Sequence, residues 1–95
     1  MTAYVIVQAE IHDWDKFRIY LNESPRIIAQ YGGKYVVRGG AMAILEGDSR
    51  GQRIVIIEFP SLEKAKEWYS SEEYRRVRQL REGAATGSLI ALEGV

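Results

Sequence analysis

The stretch RIVIIEFPSLEKAKEWYSSEEY, Arg53 to Tyr74, decides how the rest of the chain is arranged. Five of its first seven residues are β-branched or aromatic, which writes a strand. Pro60 and Ser61 close that strand and open a helix. Ser61 stands at the N-cap, and Leu62, Ala65, Trp68 and Tyr69 recur at helical spacing as its inner face. Ser70 followed by Glu73 has the spacing of a capping box, so the helix is expected to restart there and run through Tyr74, Val77 and Leu80 to about Arg81.

The same strand-then-helix grammar appears upstream. From Ala3 to Ile11 the side chains alternate, with Val5, Val7, Ala9 and Ile11 on one face and Tyr4, Ile6, Gln8 and Glu10 on the other. Asp13 stands where an N-cap belongs, and Trp14, Phe17, Leu21, Ile28 and Tyr31 follow at helical spacing. Pro25 lacks the N–H for an internal helical bond, so the spacing predicts a helix from about Asp13 to Asn22 and a kinked or restarted one to about Tyr31, ended by Gly32 and Gly33. Lys34 to Glu46 has strand character on both sides of Gly39-Gly40. It reads as one long strand broken at the glycines and turned at Gly47 to Gly51. GAATGS, residues 83–88, reads as a loop before a short closing strand over Leu89 to Glu93.

The resulting order is β-α-β-β-α-β. With right-handed crossovers it gives one α+β domain over residues 1–95: a four-stranded antiparallel sheet with its helices on one face, the ferredoxin-like split βαβ arrangement. The uncovered face would then carry Tyr4, Ile6, Ile54, Ile56 and either Leu89 with Ala91 or Ile90 with Leu92. That surface is too apolar to leave in water. A second copy of the chain laying its own sheet there predicts a homodimer.

Composition narrows the function classes. In 95 residues, 46% apolar and 27% charged, thirteen basic side chains balance thirteen acidic ones, so net charge gives no argument for nucleic acid or an anionic membrane as partner. A chain of this length leaves roughly 35 to 40% of its unfolded surface exposed, so a roomy ligand pocket is expected to need the second copy. Cysteine is absent, which excludes disulfides, thiolate metal sites and thiol nucleophiles. The segment MTAYVIVQAEI lacks a basic n-region and reads as a strand, and no apolar run approaches the roughly 20 residues of a membrane span. A cytoplasmic protein is the expectation.

RGG at 38–40, LEG at 45–47, IEFPS at 57–61, WYSSEEY at 68–74 and LEG at 92–94 together resemble domain-of-unknown-function family 1330 over nearly the whole chain. That family is similar to the dimeric α+β barrel superfamily, in which two ferredoxin-like sheets pack face to face. The resemblance implies the homodimer. It also implies a range of activities rather than one, because the superfamily holds cofactor-free monooxygenases, an isomerase, haem enzymes and ligand-sensing domains.

Candidate chemistry follows from polar and aromatic residues at the ends and faces of these elements. His12, beside Asp13 and Asp15, suggests a proton acceptor with its orienter, although acidic residues at a helix start are explained as well by capping. No second histidine or cysteine supports a metal, and no cofactor is expected. Parity puts Glu58 opposite Val55, Ile57 and Phe59, toward the partner sheet or its rim, where Gln8, Glu10 and, depending on where the strand irregularity falls, Arg38 are expected to join it. Glu58 with Arg38 reads either as a base with an anion-holding guanidinium or as an ion pair across the interface. Tyr35, Trp68, Tyr69 and Tyr74 would offer aromatic surface to a flat ligand, with core packing as the plainer alternative. Arg75, Arg76, Arg78 and Arg81, mixed with Glu72, Glu73 and Glu82, read as a solvated face. Two functions fit this set. One is a cofactor-independent oxygenase, isomerase or lyase acting on a compact aromatic or lactone-like metabolite, and the other is a non-catalytic homodimer that binds a small molecule or a protein partner.

Overall fold

Alternation along the chain builds the sheet. β1 (Ala3–Ile11) buries Ala3 and Val5 on one side, and β3 (Arg53–Phe59) buries Val55, Ile57 and Phe59 on the same side. They pair antiparallel with Val5 opposite Ile57 and Val7 opposite Val55. β2 (Lys34–Arg38) flanks β3, and β4 (Ala85–Glu93) flanks β1, giving the order β2-β3-β1-β4. The computed structural model of the chain describes residues 1–48 and 52–95.

Helices α1 (Trp14–Gln30), α2 (Leu62–Ser70) and α3 (Glu72–Gln79) form the second layer. Asp13 caps α1 by accepting from Lys16 N, and Ser61 caps α2 by accepting from Lys64 N, as their positions predict. Between the layers lie Ile27 and Ile28 of α1, Ala65 and Trp68 of α2, and Tyr74 and Val77 of α3, packed on Val5, Val55, Ile57 and Phe59. Trp68 is central, with ring centroids 5.3 Å from Phe59 and 4.3 Å from Tyr74.

Among the described residues, no helix covers the other face of the sheet. Ile6 lies opposite both Ile56 and Ile90, and Tyr4 opposite both Glu58 and Leu92. The register therefore settles which residues of β4 point outward: Ile90, 55% exposed, and Leu92, 43% exposed.

Four expectations need correction. α1 is continuous through Pro25, because Phe17 on one side and Ile27 and Ile28 on the other are buried in the same core and hold the turn straight across the missing N–H. The second half of the expected long strand is absent: β2 stops at Arg38, Gly39 takes φ +66, and residues 41–46 are exposed with no ladder. The expected turn falls partly on 49–51, outside the described residues. β4 begins four residues early, at Ala85, because β1 offers an unbroken edge as far as Ile11, which pairs with Ala85. Helix restart occurs at Ser71 rather than Ser70; Ser71 Oγ accepts from Tyr74 N at 3.1 Å and donates to the Trp68 carbonyl at 2.8 Å.

Candidate functional site: a cleft between α1 and the sheet

Strict alternation would put Tyr35 and Arg38 on opposite faces of β2. The register shifts between Tyr35 and Val37, so that Tyr35 lies opposite Ile57 and Arg38 opposite Val55, both on the helix side. The bulge thereby stacks Arg38 over the Tyr35 ring at 4.4 Å. Arg53, two residues before Val55 on β3, shares that face. Its guanidinium lies against Gly39, where a Cβ would sit 2.8 Å from Arg53 Nε.

These side chains edge a cleft roofed by Phe17, Tyr20 and Leu21 of α1 and floored by Val7, Val55, Ile57 and Leu89 of the sheet. Its cavity volume is about 70 Å3. Arg81 enters from the turn after α3, which is tightened by hydrogen bonds from Leu80, Arg81 and Glu82 to the carbonyls three residues earlier. The Arg81 guanidinium lies 5.2 Å from the Tyr20 ring centroid. Behind Tyr20 the wholly buried Tyr74 meets it hydroxyl to hydroxyl at 2.7 Å.

Electrostatics make the cleft a donor surface. Burial, and then the Tyr20 hydroxyl, push Tyr74 far above the ordinary phenol range. Burial also raises Tyr35, partly offset by the Arg38 charge beside it. Burial and next the charge of Arg38 lower Arg53 from its usual value. Burial opposes the charge on Arg81, but the hydroxyls of Tyr74 and Tyr20 outweigh it and its pKa is raised. Protonated tyrosines and cationic arginines donate; among the described residues, no histidine, aspartate or glutamate lines the cleft.

The residues singled out from sequence are divided by the sheet. Arg38 and Tyr35 edge the cleft, and Tyr74 backs its wall. Trp68 packs in the core, 1% exposed, with its indole N–H unpartnered among the described residues, and borders with Tyr69 an open hollow that shares Arg81, Gly87 and Leu89 with the cleft. Glu58 lies on the opposite face from Arg38, opposite Lys34 and Tyr4 in the ladder; Lys34 Nζ is 3.1 Å from its carboxylate and the Tyr4 hydroxyl 3.4 Å. The structure does not bring Arg38 and Glu58 together. His12 is exposed at the end of β1, its Nε2 2.9 Å from Thr86 Oγ1, while Asp13 caps α1 and Asp15 pairs with Arg18. The basic run of α3 also divides. Arg75 and Arg76 pair with Glu72, but Arg78 lies over Tyr69 at 4.4 Å and Arg81 turns into the cleft. Sequence reasoning passed over Tyr20 and Arg53 and left Arg81 on the solvated face. Their spacing carried the signal: Arg53 is in phase with Val55, Arg81 with Tyr74 and Val77, and Tyr20 with Phe17.

This sheet-and-helix layout defines a ferredoxin-like α+β protein with an arginine- and tyrosine-edged cleft. The chain belongs to the domain of unknown function family DUF1330, whose model matches residues 2–95. Among solved structures it is similar to RPA0582, a protein of unknown function from Rhodopseudomonas palustris, at 20% identity and a TM-score of 0.79, covering 99% of this chain and 82% of that one. It is also similar to SnoaB, a cofactor-independent oxygenase from Streptomyces nogalater, at 7% identity and a TM-score of 0.70, covering 99% and 93% of the two chains. A third is a dimeric protein of unknown function and ferredoxin-like fold from Bacteroides fragilis, at 14% identity and a TM-score of 0.58, covering 98% and 96%. Among proteins of curated function, none matches this chain in sequence. No helix among the described residues is long and apolar enough to cross a membrane.

Proposed function

We propose that the protein is a homodimer, joined through its uncovered sheet face, that binds a compact small molecule in the cleft between α1 and the sheet of each protomer. The observation that carries this reading is the cleft itself. A domain this small has strong reason to fill space beside Val55, Ile57 and Phe17. Leaving about 70 Å3 open there costs on the order of 1–2 kcal/mol by the behaviour of engineered core cavities. A ligand that fills it recovers the lost contacts. Known drug-sized sites run to roughly 300–1,000 Å3, so the occupant is ring-sized, with any larger substituent projecting through the mouth. The dimer is supported by Ile6, Ile56, Ile90 and Leu92 on the open face and by the likeness to a dimeric protein of the same fold.

Turnover is the second reading, supported by the likeness to a cofactor-independent oxygenase. The cleft offers Tyr20, backed by Tyr74 and Arg81, as a proton donor but, among the described residues, no carboxylate or imidazole as acceptor, which weights the choice toward binding. A thermal-shift screen of single-ring compounds, followed by chromatography of each hit after prolonged incubation under air, separates the readings. Stabilisation with the compound recovered intact supports a binding module; conversion makes the cleft an active site. Absence of stabilisation by any ring-sized compound would defeat both.

A further inference from the structure

The cleft's charge is unbalanced in a chain whose total charge is zero. Arg18, Arg26, Arg75 and Arg76 each have a carboxylate within reach, at 2.9, 3.6, 2.7 and 3.6 Å, and all lie on the outer surface of the helices. Among the described residues, Arg38, Arg53 and Arg81 are in no ion pair, and each faces tyrosines instead. The nearest carboxylate on the neighbouring strand, Glu58, is held on the far face by register and by Lys34. The bulge in β2 and the bare backbone of Gly39 both act to bring like charges together. One turns Arg38 to the helix side and the other lets Arg53 lie alongside it. Like charges on diagonal ladder positions, roughly 7–8 Å apart, repel unless something negative comes between them.

We propose that the cleft takes a small organic carboxylate, its anionic end held by Arg38 and Arg53 and its ring laid on Val55 and Ile57. The proposal rests on the preceding reading of the cleft as a ligand site and adds the chemical class of the occupant. Planar guanidinium forks match a carboxylate in bidentate geometry, and the Tyr35 ring under Arg38 borders the same cleft. Arg81, at the Tyr20 end, sets the limit on length: an occupant reaching it must be polar there. The apolar floor selects an organic body over a bare inorganic anion.

Isothermal calorimetry on the full chain at fixed ionic strength tests this with benzoate, benzamide and inorganic phosphate. Benzoate should bind at least about tenfold more tightly than its neutral isostere benzamide, as expected for charge-assisted hydrogen bonds. Arg53→Met and Arg38→Met should each weaken benzoate about tenfold or more and benzamide by much less, so that the benzoate-to-benzamide ratio falls toward one; Arg53→Lys should recover only part of the loss. Equal affinity for benzoate and benzamide would overturn the carboxylate class and leave the ligand cleft standing. Phosphate matching benzoate would overturn it in favour of an inorganic anion site. Binding of none of the three would overturn this proposal and count against the ligand cleft as well. Should the methionine variants fail to fold, the benzoate-to-benzamide ratio of the unaltered chain decides.

Discussion

Tyr74 joins the core to the cleft, and its hydroxyl makes a sharp test of that role. Replacing it by Phe removes the partner of the Tyr20 hydroxyl, 2.7 Å away, and should destabilise the fold by about 1–2 kcal/mol in urea denaturation. The pH dependence has a definite sign. Tyr74 keeps its proton in the folded state where an unfolded tyrosine, near pH 10.0, has lost it. Stability from this group is therefore present below about pH 10 and falls as pH rises above it. Midpoints measured from pH 8 to 11 should drop more steeply for the unaltered chain than for Tyr74→Phe, and parallel curves would contradict the assignment. Glu58→Gln is the counterpart on the other face. Its lost pairing with the largely exposed Lys34 should cost under about 1 kcal/mol and leave benzoate affinity unaltered. A lost benzoate response in this variant would move the ligand site to the open face. Helical phase alone carried Arg81 as in step with Tyr74 and Tyr20 as in step with Phe17, whereas the contact between the two hydroxyls depends on how α1 and α3 approach each other.

Between the strands, two glycines carry different constraints. At Gly39 the left-handed φ of +66 and the Arg53 side chain 2.8 Å from a would-be Cβ act together. Gly39→Val should cost more than about 1 kcal/mol and also weaken benzoate, because it pushes Arg53 out of the cleft. Unchanged stability would remove the argument that the glycine is required. Gly87 lies in β4 opposite Ala9, so close to β1 that a Cβ would fall 1.9 Å from the Gln8 carbonyl oxygen. Gly87→Ala must prise β4 from β1 and should destabilise by about 1–3 kcal/mol, with hydrogen exchange accelerated at Ala85 to Leu89. The glycine pair at 39–40 was legible as a strand irregularity. The bulge itself lies earlier, between Tyr35 and Val37, where no glycine marks it, and it is the bulge that carries Arg38 to the helix side.

For the assembled molecule, the testable consequence is self-association. Sedimentation at micromolar concentration should give twice the chain mass of 10.8 kDa. Ile56→Asp, which sets a carboxylate opposite Ile6 in the middle of the open face, should shift the protein to monomer while leaving the helix-side core intact. A monomer from the unaltered chain would refute the dimer. Two-residue and helical periodicities are properties of neighbouring residues, so β1, β3, the caps at Asp13 and Ser61, the α+β order and the apolar open face could be read from the chain without its fold. Register, bulge position and the partner of a long side chain are not local. Glu58 and Arg38 looked like companions because the sequence announced an irregularity near the glycines without placing it, and the shift between Tyr35 and Val37 put the sheet between them. Likewise β4 reaches back to Ala85 because Ile11 of β1 is there to pair with it, and residues 41–46 form no strand despite their composition because, among the described residues, no strand pairs with them. The cleft follows from the same cause: it lies where α1, the turn after α3 and the bulged edge of β2 converge, and no segment of the chain contains that meeting on its own.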